Sequence, residues 1–224
     1  MNALPALIFD LDGTLVDTAP DLLGATNAVL RSEHREEIDP ATLRHMVGFG
    51  ARSLIQQAMA ATGTPVEDAR LPELVDRFIV HYRAHIADDS VLFPGVEETL
   101  ADLQAKGERM AVLTNKPHDL AVQLLDKLKL TQFFPVIYGA GRMSYVKPDA
   151  RIFHDVVRDV GGEPGIMVGD SITDVATARA ANALVILVNY GYTPEPAHML
   201  GGDVVTGDFR DIPRLARDLA RAAL

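Results

Sequence analysis

Short apolar runs rich in Val and Ile, bounded by turn residues, recur at Ala6 to Phe9, Met110 to Leu113, Val136 to Tyr138, Gly165 to Val168 and Leu184 to Val188. Runs of that length predict strands buried on both faces, and the segments between them carry helical spacing. Helices are predicted over Val96 to Lys106 closed by Gly107, Pro117 to Leu128, Asp149 to Val160 closed by Gly161, and Thr173 to Ala181 closed by Asn182. Glycine and asparagine accept the left-handed geometry just past a helix end. Strands alternating with helices imply crossovers and a parallel sheet, so the expected fold class is α/β, a Rossmann-like doubly wound core.

The alternation breaks between Val16 and about Asp89, where the pattern is helical with almost no strand signal. Thr18 to Arg31 reads as one helix. Asp39 followed by Pro40 is an N-cap and first-turn pair that opens a second. Ala51 to Ala61 continues to a stop at Gly63, and Leu71, Val75, Phe78, Ile79, Tyr82 and Ile86 draw an apolar stripe along a further helix. The expected organisation is therefore a core of residues 1–15 and 92–224 with an inserted helical domain of residues 16–91. The places where the chain crosses between them, near Val16 and near Asp89, are the expected hinges.

Composition narrows the chemistry. The 224 residues carry 21 Lys+Arg against 31 Asp+Glu, a formal charge of -10, which argues against a nucleic-acid binder relying on a basic face. With no cysteine, disulfides, thiol nucleophiles and thiolate metal sites are excluded, so any nucleophile carries oxygen or nitrogen. The stretch MNALPALIFD has no basic flank before Asp10 and Asp12, and no apolar run approaches membrane-spanning length. A cytoplasmic protein with no membrane partner is the expectation, as a monomer or homodimer. There is no internal repeat or low-complexity tract.

Asp10-Leu11-Asp12-Gly13-Thr14 stands at the carboxyl end of the first predicted strand, where open α/β sheets bind ligands. Under equal residue frequencies such an Asp-x-Asp-Gly-Thr string arises in about one in a thousand chains of this length. Thr114-Asn115 follows the second strand, with Pro117 opening a helix whose free amides suit an anion. Lys147-Pro148 follows the third, and Gly169-Asp170-Ser171-Ile172-Thr173-Asp174 the fourth. Each alone has a plain structural reading: turn carboxylates, a helix cap, a solvated lysine, dipole compensation.

In this order and each behind a strand, the motifs resemble the haloacid dehalogenase superfamily of phosphohydrolases over essentially the whole chain. The helical insert resembles that family's cap. Thr14-Leu15-Val16-Asp17-Thr18-Ala19-Pro20-Asp21-Leu22, Val47-Gly48-Phe49-Gly50-Ala51, Thr114-Asn115-Lys116-Pro117 and Asn189-Tyr190-Gly191-Tyr192 are similar to its phosphoglycolate phosphatase branch. Two positions depart from that branch: Asp149-Ala150-Arg151 lacks a further proline, and Asn182 replaces a glycine.

The resemblance implies a Mg²⁺-dependent phosphatase acting on a small phosphorylated metabolite, with 2-phosphoglycolate foremost. Asp10 would be the nucleophile and Asp12 the acid and then base. Thr114, Asn115 and Lys147 would hold the phosphoryl group. Asp10, Asp170 and the carbonyl of Asp12 would ligate Mg²⁺, with Asp174 orienting Lys147 or a metal-bound water. Within the insert, the turn Gly48-Phe49-Gly50-Ala51-Arg52 offers free amides and a guanidinium, so Arg52 is expected at a substrate carboxylate. Alternatives of the same class are a pyrophosphatase, a sugar-phosphate phosphatase or a phosphomutase; one of another class is a non-catalytic phospholigand-binding regulator. His81 and His85, four apart, read as a helix face, and His118 lies beside the phosphate loop.

Overall fold

The computed structural model describes residues 4–222; the first residues of the amino-terminal stretch read above for a leader lie outside them. The core strands are β1 (Ala6–Phe9), β4 (Met110–Pro117), β5 (Val136–Ala140), β6 (Gly165–Gly169), β7 (Leu184–Val188) and β8 (Val204–Thr206). Every pairing among them is parallel, in the order β5-β4-β1-β6-β7-β8. The fold is thus α/β, Rossmann-like and doubly wound, as the alternation predicts. From β1 the chain adds β4 and β5 on one side, then returns to add β6, β7 and β8 on the other. The reversal at β1 leaves a crevice beyond its carboxyl end, the place where such sheets bind ligands.

Side chains alternate across the strands. Leu7 and Phe9 join one apolar cluster and Ala6 and Ile8 the other, all fully buried. Helices α5 (Val96–Ala105), α6 (His118–Lys127) and α9 (Ile212–Ala222) cover the first face, and α7 (Ala150–Asp159) and α8 (Ile172–Ala180) the second. Burying each large apolar side chain stabilises the fold by roughly 1.5–3 kcal/mol, which fixes strand register and hence the positions of residues at the strand ends.

Between β1 and α5 the chain forms α1 (Ala19–Ser32), α2 (Pro40–Arg44), α3 (Ala51–Ala61) and α4 (Leu71–Ala84). Asp39 caps α2 as its position before Pro40 predicts, accepting from Thr42 N at 2.7 Å. The crossings into and out of this block are not bare linkers: β2 (Val16–Asp17) and β3 (Val91–Leu92) pair antiparallel. Asp21 reinforces them by accepting hydrogen bonds from the backbones of Asp89 and Ser90, each at 2.9 Å.

The structure departs from the predicted elements in instructive places. β8 and α9 escape the apolar-run reading because β8 is a three-residue edge strand and α9 keeps only a narrow buried stripe. β4 does not end at Leu113 but runs on through Pro117, so Thr114, Asn115 and Lys116 are extended, and the helix expected from Pro117 begins at His118.

Candidate active site

Asp10 is the first residue past β1, pinned by its N–H donating to Val168 O at 2.9 Å. The chain then turns sharply at Gly13, whose φ is +86°; a Cβ there would also come within 2.5 Å of Asp170 Oδ2. Only glycine meets both demands. The next residue, Thr14, donates through Oγ1 to Asp170 Oδ1 at 3.0 Å, and Tyr192 N donates to Asp170 Oδ2 at 2.7 Å. Asp170, at the end of β6, is thereby held on both oxygens.

Lys147 enters from the loop between β5 and α7 and is buried among the acids. Its ammonium donates to Asp174 Oδ1 at 2.7 Å and lies 2.9 Å from Asp10 Oδ1. The second contact is an ion pair by distance but is off the line of a hydrogen bond, so Asp10 Oδ1 is buried without a hydrogen-bond donor. Asp174 Oδ2 accepts from Ser171 N at 3.0 Å and Ser171 Oγ at 2.7 Å. Asp174 therefore serves both as the helix cap that its position at the start of α8 implies and as the holder of Lys147.

Burial dominates the electrostatics of this cluster. It pushes Asp10 up to about 7 despite the opposing charge of Lys147. It pushes Asp170 up to about 8, with the charges of Asp174 and Asp10 adding to the shift. Burial would lower the Lys147 ammonium, but Asp10 and Asp174 outweigh it and hold Lys147 above the ordinary lysine value.

Carboxylate oxygens of Asp10, Asp170 and Asp174 lie within 4.8 Å of one another. An all-oxygen set with no His or Cys suits a hard divalent cation. The unpartnered Asp10 Oδ1 and the raised affinities for protons mark a cluster short of positive charge, so the residues fit such an ion. Asp174, with one oxygen on Lys147 and the other on Ser171, stands behind Asp10 and Asp170 rather than beside them.

Asp12 projects from the turn after β1. Its Oδ1 accepts from Thr18 Oγ1 at 2.7 Å and from the buried ammonium of Lys116 at 2.8 Å. Lys116 stands in the sequence only as part of Thr114-Asn115-Lys116-Pro117, with no role of its own. With β4 extended, the strand period of two places Lys116 on the same face as Thr114, and both are buried. Thr114 Oγ1 accepts from Lys116 N at 3.1 Å, which leaves its own hydroxyl proton free for another partner. Asn115, which borders the same space, donates through Nδ2 to Gly48 O at 3.3 Å and Lys147 O at 3.2 Å, bracing the insert's turn against the core.

A cavity of about 40 Å³, roughly three water-sized spheres, opens between these groups and the helical insert. Asp10, Asp12, Thr114 and Lys116 line it from below, and Phe78 and Tyr82 from α4. Arg52, expected at a substrate carboxylate, is not on its wall. Its guanidinium reaches Asp68 at 3.3 Å, and its side chain is 56% exposed. It borders a wider outer groove with Phe49, Val146 and Ile172. His81 and His85 stack 4.6 Å apart on one side of the insert, and His118 has Nδ1 buried without a partner; none of the three lines the cavity. Tyr192, which the sequence offered only as the end of Asn189-Tyr190-Gly191-Tyr192 and without a role, is a further participant: its hydroxyl accepts from Thr18 N at 2.6 Å and donates to Asp17 Oδ1 at 2.7 Å, tying the crossing near Val16 to Asp170.

Residues 7–188 match the family described as haloacid dehalogenase-like hydrolase. A phosphoglycolate phosphatase of Caulobacter vibrioides is 45% identical over 210 residues, covering 93% of this chain and 89% of that protein. One of Agrobacterium fabrum is 44% identical over 207 residues, with 92% and 89% covered. Among solved structures, a protein described as a predicted phosphoglycolate phosphatase from Haemophilus somnus superimposes with a TM-score of 0.89 at 28% identity, covering 96% of this chain and 99% of that one.

Proposed function

Since the chain belongs to the haloacid dehalogenase-like hydrolases, we propose that it is a Mg²⁺-dependent phosphatase that cleaves 2-phosphoglycolate to glycolate and phosphate through an aspartyl-phosphate on Asp10. The observation that carries this reading is the buried Asp10 oxygen left without a hydrogen-bond donor beside the Lys147 ammonium, at the edge of a cavity that also holds Asp12. A carboxylate oxygen in that state is desolvated and keeps its lone pairs unspent, as a nucleophile requires.

In the first step a carboxylate oxygen of Asp10 attacks phosphorus while the bond from phosphorus to the ester oxygen breaks. Asp12 gives its proton to the departing alkoxide. Lys147 and the Thr114 hydroxyl hold the equatorial phosphoryl oxygens as charge shifts onto them. In the second step Asp12 takes a proton from the water that attacks the aspartyl-phosphate, and the bond between phosphorus and Asp10 breaks. Asp10, Asp170 and the carbonyl of Asp12 would hold Mg²⁺. The ion, when bound, supplies the positive charge that lets a dianionic substrate approach an acidic cluster.

The insert, read as a cap hinged at β2 and β3, would close over the substrate and exclude water. The curated relatives named phosphoglycolate phosphatase support 2-phosphoglycolate as that substrate. Phosphate release from a panel of small phosphoesters and pyrophosphate, with Mg²⁺ and with chelator, tests the proposal. Metal-dependent release fastest from 2-phosphoglycolate is expected; no release from any of them would leave a non-catalytic binder, and a preference for pyrophosphate or sugar phosphates would reassign the substrate.

A further inference from the structure

Two residues on the wall of the cavity have no part in the steps above. Lys116 carries N–H donors on three sides of its ammonium. Among the described residues one acceptor, Asp12 Oδ1 at 2.8 Å, takes a hydrogen bond from it. The ring of Tyr82, its centroid 4.5 Å from the ammonium, covers another side. Tyr82 itself is 1% exposed on α4 and stacked on Phe78, yet its hydroxyl has no hydrogen-bond partner. Both residues line the same cavity as Asp10, Asp12 and Thr114.

A buried donor without an acceptor destabilises a fold, and a buried ammonium is ordinarily surrounded by acceptors. Phenylalanine would fill the Tyr82 position with the same stacking and no such penalty. The unspent donors therefore face a missing acceptor, and the position of Asp12 says where it belongs. The ester oxygen must lie against Asp12 to receive its proton, so whatever hangs from that oxygen extends past Asp12, and the ammonium touching Asp12 from that side is Lys116.

Resting on the phosphatase reading, we propose that Lys116 and Tyr82 together receive a carboxylate carried one carbon beyond the ester oxygen, and so select small phosphorylated acids over neutral phosphoesters. Lys116 belongs to the core and Tyr82 to the insert, so this site is complete only when the two units are together. Selection is thereby joined to closure rather than to binding of the phosphoryl group, which every phosphoester shares.

The test compares kcat/KM for 2-phosphoglycolate and ethyl phosphate, which share a two-carbon alkyl leaving group and differ in the carboxylate. The ratio of the two is expected to favour 2-phosphoglycolate in the wild type. Lys116→Met should lower that ratio by about ten- to a hundredfold, the loss of a charge-assisted contact. Tyr82→Phe should lower it about three- to tenfold, mostly through KM, the loss of one neutral hydrogen bond. Tyr82→Phe should also raise the Tm of the unliganded protein by roughly 2–4 °C, because it removes an unpaired buried hydroxyl. That variant keeps the ring and its stacking, so it decides the matter even where Lys116→Met does not fold. Folded variants that retain the wild-type ratio would overturn the assignment of Lys116 and Tyr82 while leaving the substrate reading intact. A wild type indifferent to the carboxylate would instead remove the substrate reading, and this inference with it. A lowered Tm in Tyr82→Phe would make the hydroxyl structural and likewise overturn its part.

Discussion

The two ends of the cavity are built on opposite terms. At the phosphoryl end the acids behind the cavity are held by fixed partners, Asp170 by Thr14 and Tyr192 and Asp174 by Ser171 and Lys147, and one Asp10 oxygen and the Thr114 hydroxyl proton are left over. Asp10 and Asp170 stand at strand ends of one sheet, Asp174 on the first turn of the helix that follows, and Lys147 on the loop after β5, so their spacing is fixed by the packing of the core. At the far end Lys116 and Tyr82 have donors to spare, and Tyr82 arrives on a helix of the insert. A preorganised end suits a group common to all substrates, where donors in place need no rearrangement as charge develops. An underfilled end assembled from two units suits the part of the substrate that differs.

The sharpest way to break this comparison is at the nucleophile. Asp10→Asn should lower turnover by several orders of magnitude on every phosphoester alike and leave the Tm within a few degrees of wild type. Single-turnover rates that depend on the leaving group's carboxylate in this variant would mean the two ends are not separable.

Metal dependence comes next. Asp170→Asn should raise the Mg²⁺ concentration for half-maximal activity by about tenfold or more, and Asp174→Asn by less, because the Asp174 oxygens are spent on Lys147 and Ser171. A Mg²⁺ titration in which Asp174→Asn shifts further than Asp170→Asn would exchange their roles.

Arg52 sharpens the comparison from the other side. With its guanidinium on Asp68 in the outer groove, Arg52→Ala should change the ratio of kcat/KM for 2-phosphoglycolate over ethyl phosphate by less than about threefold, since an exposed pair contributes little. A loss of about ten- to a hundredfold would move carboxylate recognition to the groove.

The smallest effect concerns pH. Asp10 and Asp170 titrate near 7 and 8 in the folded chain, far above the usual carboxylate value, so the native state holds more protons than the unfolded one over the range between. Their contribution to stability is complete below the ordinary carboxylate range and is lost as pH rises through 7 and 8. A divalent cation replaces those protons. The rise in Tm on adding Mg²⁺ should therefore be a few degrees larger at pH 8.5 than at pH 5.5, measured by thermal denaturation with and without chelator. Equal increments would place the ion elsewhere.

Much of the phosphoryl end was legible along the chain. Asp10, Thr114, Lys147 and Asp170 each follow a short apolar run, and once those runs are strands of one parallel sheet, their carboxyl ends meet without further information. Asp174 was legible as a cap from its place at the start of a helix, and the resemblance offered Lys147 or a metal-bound water as its partner; the structure has it on Lys147. The helical insert was legible as an interruption of the strand rhythm, and its stripe from Leu71 to Ile86 does pack inward.

The far end was decided by tertiary structure. Lys116 points into the cavity only because β4 stays extended through Pro117, and its pairing with β5 beyond Leu113 involves a register shift that no local preference announces. Tyr82 sits on the apolar stripe where a core role suffices, and nothing in its spacing says that its ring would end over Lys116. Arg52 lies in the turn that sequence favoured, yet the direction of α3 carries its side chain outward. Periodicity reports which face of an element is buried; what that face meets depends on how the insert and the core are brought together, which is set by long-range packing rather than by neighbours in the chain.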